Sequence, residues 1–170
     1  MSPFHHLPKP MFYAAFLIAV LAAPVHAASW SVDPSKSKLA FSGTQTGTPF
    51  DGSFSRYTAT IDFDPDHLET SRIAVTVDLA SAVTGDAQRD AALPEPDWFD
   101  TGKFPQARFE SRAIRKTGDG AYEASGTLTI RGVSQPVILP FTLQIDGTNA
   151  HAKGRVNLLR NKFGIGQGAW

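Results

Sequence analysis

No cysteine occurs anywhere in the 170 residues. Disulfide staples and thiolate-based metal or redox centres are therefore excluded, and stability must come from a packed core, for which the length suits one domain. Charge of one sign is not in excess either: 16 Lys and Arg balance 16 Asp and Glu. No basic field points to nucleic acid, and no long charge run reads as a tail. G-x-S-x-G, H-E-x-x-H and G-x-x-x-x-G-K-[ST] are all missing, so the commonest hydrolase and nucleotide signatures are not there. Histidine is scarce. Of five, three lie in the first 27 residues, which leaves His67 and His151 with nothing to place them together. Surface histidines are the default for such a pair, and neither a metal site nor a catalytic site is expected. Asp62, Asp64 and Asp66 alternate, but a calcium loop wants Gly and Glu where His67 and Ile73 stand.

Long hydrophobic runs are lacking too, with one exception. Residues 11–23 form an uncharged apolar run of 13. Lys9 precedes it, Pro24 breaks it, and Val25-His26-Ala27 supplies a small-x-small site. That is the length of a signal-peptide core and short of the roughly 20 residues a spanning helix needs. We expect residues 1–27 to be a cleaved signal peptide and residues 28–170 to be one exported domain. No cysteine follows the run, so a lipoprotein is excluded.

What the chain does have is alternation. Leu39, Phe41 and Gly43 alternate with polar neighbours, as do Ala59, Ile61 and Phe63 in a run expected over residues 54–63. Ile73, Val75, Val77 and Leu79 give the cleanest period-two pattern. Tyr122, Ala124, Gly126, Leu128 and Ile130 form another, and Val137, Leu139, Phe141, Leu143 and Ile145 a third. A strand is also expected over residues 109–114, and a weaker one over 151–160 with Val156 and Leu158 on one face. Gly47, Pro49, Asp51 and Gly52 read as a turn or bulged corner, and Gly118-Asp119-Gly120, Gly132 and Asp146-Gly147 as tight turns. Seven or eight strands joined mostly by tight turns predict an antiparallel barrel or sandwich.

The middle of the chain, residues 84–109, breaks this pattern. It predicts a two-turn helix over residues 86–93, capped by Thr84 or Asp86 and ended by Pro94. An aromatic group follows: Trp98, Phe99, Phe104 and Phe109. Arg89-Asp90 is a neighbouring charge pair. It is either an exposed pair of little energetic weight, or it pins the helix to the rim or meets a polar ligand head. Nine phenylalanines remain after the leader, most on inward-alternating positions. The interior is either an ordinary filled core or a barrel holding a ligand, since eight strands is the size at which both occur. Small inward positions at Gly43, Ala59, Ala113, Ala124 and Gly126 leave room.

Five segments in order resemble the YceI family of exported lipocalin-like proteins. They are W-S-V-D-P-S-K-S-K-L-A-F-S, G-D-A-Q-R-D-A-A-L-P-E-P-D-W-F-D, K-F-P-Q-A-R-F-E-S, G-T-L-T-I-R-G-V-S-Q-P-V and F-G-I-G. The resemblance implies an extended, all-β, antiparallel lipocalin-like barrel of about eight strands with one short helix in the central insert. It also implies an internal apolar tunnel for a polyisoprenoid, quinone or fatty amide. By position, the tunnel wall would include Phe41, Phe54, Phe63, Val75, Val77, Leu128, Leu139 and Phe141. Trp98, Phe99, Phe104 and Phe109 would close one side. Two departures stand out. Gln88 and Ala91 flank the Arg89-Asp90 pair where relatives often carry a histidine or a second arginine. The chain also stops at Trp170, where relatives usually continue into a last strand. Without it the barrel would have a gap or an exposed edge. Either the chain is truncated, another segment closes the seam, or the protein pairs edges with a partner such as a second copy.

The expected function is therefore a periplasmic, non-catalytic carrier for a long-chain lipid. It would have no cofactor beyond a bound isoprenoid or quinone and no nucleic-acid partner. The alternative is an accessory protein in transient contact with a membrane redox or stress system.

Overall fold

The computed structural model describes residues 28–45 and 47–167. The expected signal peptide, its cleavage site and residues 168–170 lie outside the described residues. The strands are, in chain order, β1 (Ala28–Trp30), β2 (Leu39–Gln45), β3 (Thr48–Phe54), β4 (Tyr57–Phe63), β5 (Arg72–Asp78), β6 (Ala82–Val83), β7 (Gln106–Gly118), β8 (Ala121–Ile130), β9 (Val133–Asp146) and β10 (Asn149–Gly154). One α-helix, α1 (Ala87–Ala92), sits in the central insert. A seven-stranded antiparallel sheet in the order β1-β4-β5-β7-β8-β9-β10 curls into a half-barrel. A three-stranded sheet, β2-β3-β6, stands apart from it. The all-β architecture with one short helix is as expected.

The expected corner at Pro49 and Gly52 is instead strand β3, which pairs with β2 from Leu39↔Phe54 to Gln45↔Thr48. Gly43 and Gly52, within the strands of this hairpin, each face a ring on the opposite strand. A Cβ on Gly52 would lie 2.3 Å from Phe41 Cζ, and one on Gly43 2.9 Å from Phe50 Cζ. Glycine here is a seat for an aromatic ring rather than a turn residue. Pro49 is tolerated because β6 reaches only Ser53 and Phe54, which leaves the proline on a free edge. The chain then leaves the small sheet at Ser55–Arg56, which divides the single strand expected over residues 54–63. Ser81, 3% exposed, holds that bend: its hydroxyl accepts from Arg56 N at 3.1 Å and its carbonyl from Ser55 N at 3.2 Å.

A bulge re-aims β7. Pairing with β8 slips between Ser111 and Ala113, so Phe109 and Ile114 both face inward although an odd number of positions, five, divides them. Ala113, expected inside, is exposed for the same reason. Gly126 lies under the bulge, where a Cβ would come 2.3 Å from Glu110 O.

Two apolar clusters result. The first joins Leu79, Leu93, Phe99, Ala107, Ile130, Phe163 and Ile165. The second joins Phe63, Phe109, Ile114, Tyr122 and Ala124. Leu128 packs against both. β10 stops at Gly154, and Val156 and Leu158, expected on a strand face, are 36% and 42% exposed. A 3-10 turn at Arg160–Phe163 then brings the chain back, burying Phe163 and Ile165 in the first cluster.

Gly126→Ala should lower stability by about 1–3 kcal/mol, because the added methyl meets backbone that cannot yield. Urea unfolding should show a lower midpoint with an unchanged slope.

Candidate functional site

The central insert is fastened from its first residue. Asp86 caps α1, its carboxylate accepting from Gln88 N and Arg89 N at 3.0 Å each. Asp90 turns back to accept from Thr84 N at 2.7 Å and Thr84 Oγ1 at 2.6 Å. These donors hold its carboxyl below the usual carboxylate range. Arg89 reaches the small sheet. Its guanidinium lies 4.8 Å from the Phe50 ring centroid and donates to Gln45 Oε1 at 3.2 Å. Both members of the charge pair thus work within the protein, and Arg89 ties α1 to the β2–β3 hairpin.

After α1 the chain runs through successive turns. Phe99 N donates to Leu93 O at 3.0 Å, and Asp100, at φ 51° and 7% exposed, accepts from Phe104 N at 2.8 Å. The last described segment docks onto this loop. Gly166 N and Gln167 N both donate to Asp97 O, at 2.7 and 2.9 Å. Arg131 donates to Gly164 O, and the Arg160 guanidinium sits 5.9 Å from the Trp98 ring centroid.

The residues singled out from sequence fall into two groups. Phe41, Phe54, Val77, Trp98 and Phe99 gather at the first cluster, with rings of Phe41 and Phe54 5.1 Å apart and of Phe54 and Phe99 6.0 Å apart. Phe63, Val75, Phe109, Leu139 and Phe141 gather at the second. There Tyr122 stacks on Phe141 at 5.5 Å, and Phe63 meets Tyr122 edge-on at 5.2 Å. Leu128 belongs to both groups. Phe104 belongs to neither; its ring covers Gly132. Phe63, Phe99 and Phe109 are buried, while Phe41, Phe54, Val75, Val77, Trp98, Leu128, Leu139 and Phe141 are only half-buried.

Two open hollows border these groups. The larger, about 810 Å³, lies between β1, β4 and the end of β3, and is lined by Trp30, Phe54, Tyr57, Ala59 and Ile61 among others. The smaller, about 430 Å³, reaches Tyr122 and Phe141 past Pro140, Lys153 and Arg155. Trp30, Tyr57, Ile61 and Tyr122 were not singled out from sequence. Tyr122 and Ile61 already stood on inward-alternating positions, and Trp30 in the opening segment, so a signal was there. Trp30 Nε1 donates to Phe63 O at 3.1 Å, which fixes β1 at the rim of the larger hollow.

Polar chemistry is peripheral. Among the described residues no group of three His, Asp or Glu is placed to hold a metal ion. Asp64 instead closes its own turn, accepting from Asp66 N at 2.9 Å and meeting His67 Nδ1 at 3.0 Å.

Residues 30–169 match the model of the YceI-like domain. The chain belongs to this family. It is 33% identical over 120 residues to a UPF0312 protein of Pseudomonas savastanoi pv. phaseolicola, a match covering 67% of this chain and 62% of that protein. A UPF0312 protein of Pseudomonas fluorescens is 36% identical over 122 residues, with the same coverage. The chain thus spans less than two thirds of the length of these relatives. Among solved structures, BcnA of Burkholderia cenocepacia superposes with a TM-score of 0.78 at 35% identity, covering 82% of this chain and 88% of that one. The YceI protein of Campylobacter jejuni superposes at 0.65 with 26% identity, covering 81% and 84%.

The Asp64–His67 pair predicts a pH signature. The hydrogen bond to Asp64 raises the His67 pKa above its ordinary value, and the Asp66 amide and His67 hold Asp64 below its own. The histidine's contribution to stability is complete below its unfolded-state pKa and is lost as pH rises through the raised value. The aspartate's is present above its unfolded-state pKa and is lost as pH falls through the depressed value. Asp64→Asn should therefore move the NMR titration midpoint of His67 downward. An unmoved midpoint would show that the pair is not formed in solution.

Proposed function

We propose that this chain is an exported, non-catalytic carrier that holds a long-chain apolar ligand against the concave face of the half-barrel. The carrying observation is the incomplete burial of the interior. Eight apolar side chains, Val75, Val77, Leu128, Leu139 and Phe141 of the half-barrel, Phe41 and Phe54 of the small sheet and Trp98 of the insert, pack beside the two clusters and stay only half-buried. A filled core would cover them. Each CH₂ that a ligand buries there contributes about 0.8 kcal/mol, so a chain of several isoprene units binds tightly with no dedicated polar site. A hollow of about 810 Å³ is within the range of small-molecule sites.

Membership of the YceI-like family supports a binding protein for apolar ligands. A solved polyisoprenoid-binding domain from Saccharophagus degradans shares the fold, with a TM-score of 0.58 at 13% identity, which is a likeness of architecture alone. The apolar run before Ala28 supports export to a periplasm. A polyisoprenoid, a quinone and a fatty amide all fit the chemistry. Each would be cargo rather than a resident cofactor.

Extraction of the purified protein followed by mass spectrometry tests the reading. A long-chain lipid should co-purify in near-stoichiometric amount. Ala59→Trp, which fills the larger hollow, should cut it roughly tenfold by the loss of a few buried CH₂ contacts. Ile138→Ser, on the 57% exposed outer face of β9, should leave it unchanged. Protein that carries no lipid after mild purification, or Ala59→Trp protein with a full load, would sink the idea.

A further inference from the structure

The acidic and basic residues are balanced in number but not in place. All 16 Asp and Glu lie between Asp33 and Asp146. From Asn149 to the last residue there is no acid, and Lys153, Arg155, Arg160 and Lys162 are all basic. Lys36, Arg56, Arg89, Lys103, Arg108 and Arg115 each meet a carboxylate. None of the four basic residues after Asn149 does so among the described residues. Lys38, Arg72, Arg112, Lys116 and Arg131 also lack such a pair, but they are scattered among the acids of residues 33–146, whereas these four follow one another in an acid-free stretch.

The same stretch is the most exposed in the fold. Every residue from Gln144 to Lys162 is exposed. Between Arg155 and Arg160 it presents Val156, Leu158 and Leu159, and Leu159 is 66% exposed, the highest of the exposed large apolar residues. It is not a loose end. The 3-10 turn and the burial of Phe163 and Ile165 anchor it on one side, and pairing of β10 with β9 anchors it on the other. The Arg160 guanidinium is further fixed by Ile165 O and Gly166 O, at 2.8 Å each. Aliphatic side chains flanked by cations, of which Arg160 is held in place, match one partner chemistry well: an anionic lipid surface, which takes apolar groups at the acyl boundary and cations at its headgroups. A soluble acidic protein would match the charges but gives no reason for Leu158 and Leu159 to stand out.

The patch also adjoins the smaller open hollow. Lys153, Gly154 and Arg155 form one wall of the smaller hollow, whose floor is the stacked Tyr122–Phe141 pair. We infer that the segment from Lys153 to Lys162 docks the protein on an anionic bilayer surface and so sets the mouth of this hollow against the membrane. The surface itself stands independently of the carrier reading; its use for loading or unloading cargo rests on that reading.

Vesicle flotation tests it, using the chain from Ala28 onward, which contains both sheets and both apolar clusters. The protein should float with vesicles containing about a third phosphatidylglycerol and stay behind with pure phosphatidylcholine. Leu158→Ser with Leu159→Ser, and separately Arg155→Gln with Lys162→Gln, should each reduce the floated fraction at least fivefold. Thermal midpoints close to the parent's would show that both variants fold. Absence of flotation with the anionic vesicles overturns the inference. So does parental flotation by the leucine variant, which would mark a charge-only surface suited to an acidic protein. Lipid extracted from the same preparations reads the carrier function separately: flotation without bound lipid sinks the carrier and spares the docking surface, and the reverse result does the opposite.

Discussion

The return of the chain at Phe163 and Ile165 is the constraint on which the rest of this half-barrel depends. These two side chains, 2% and 8% exposed, complete a cluster with Leu93 and Phe99 of the insert, with Leu79 in the 3-10 turn after β5, and with Ala107 and Ile130 of the strands. Burying an aromatic and a branched aliphatic side chain contributes about 1.5–3 kcal/mol each. The contacts of Asp97 O with Gly166 N and Gln167 N add about 1 kcal/mol apiece. In a chain with no disulfide, this closure holds insert, strand ends and last segment as one unit. It also fixes Arg160 against Trp98 and so sets the course of the exposed run before it.

With that end closed, the interior divides into two packed clusters that share Leu128. The β7 bulge makes the division work. By adding one residue at the Ser111–Ala113 slip it turns Ile114 inward beside Tyr122 and Ala124, where strict alternation would have put Ala113. Gly126 is the price of that bulge, since nothing larger fits beneath Glu110 O. The buried residues, Phe63, Phe99 and Phe109, are anchors; the half-buried ones, from Phe41 to Phe141, are the apolar surface that the proposed carrier role would use. An interior with anchored rings and an unfilled apolar face is rigid enough to keep its shape and open enough to accept a chain.

Features set by near neighbours in sequence were legible there. Asp86 as cap and Pro94 as stop bound the helix as α1 does, because capping is a matter of a few residues. The alternation of β8 and β9 survived for the same reason, whereas in β5 every residue from Ile73 to Asp78 is half-buried. What sequence obscured was set by partners far along the chain. Gly43 and Gly52 look like turn residues until Phe50 and Phe41 are seen to cover them. Phe109 and Ile114 look out of phase until the bulge is seen. Val156 and Leu158 alternate like a strand, but no strand lies beside them and they stay exposed. In the candidate site, the inward aromatics were legible as inward. Their separation into two clusters, and the position of Phe104 over Gly132, depended on where the insert folds back.

A net charge near zero conceals how this molecule meets a surface. At physiological salt the Debye length is about 8 Å, so carboxylates on distant strands do little to cancel a cation fixed elsewhere. What a partner feels at the run from Lys153 to Lys162 is the local sum, which is positive. The nearest acid in sequence is Asp146, at the far end of the β9–β10 turn. The same run carries the most exposed aliphatic side chain and walls a hollow that leads to Tyr122 and Phe141. Charge placement, apolar exposure and an open hollow coincide on one segment, and the returning Phe163 and Ile165 hold that segment in place. If the interior carries a water-insoluble chain as proposed, that chain needs a surface at which it can enter without crossing water, and this is the described stretch where all three features meet.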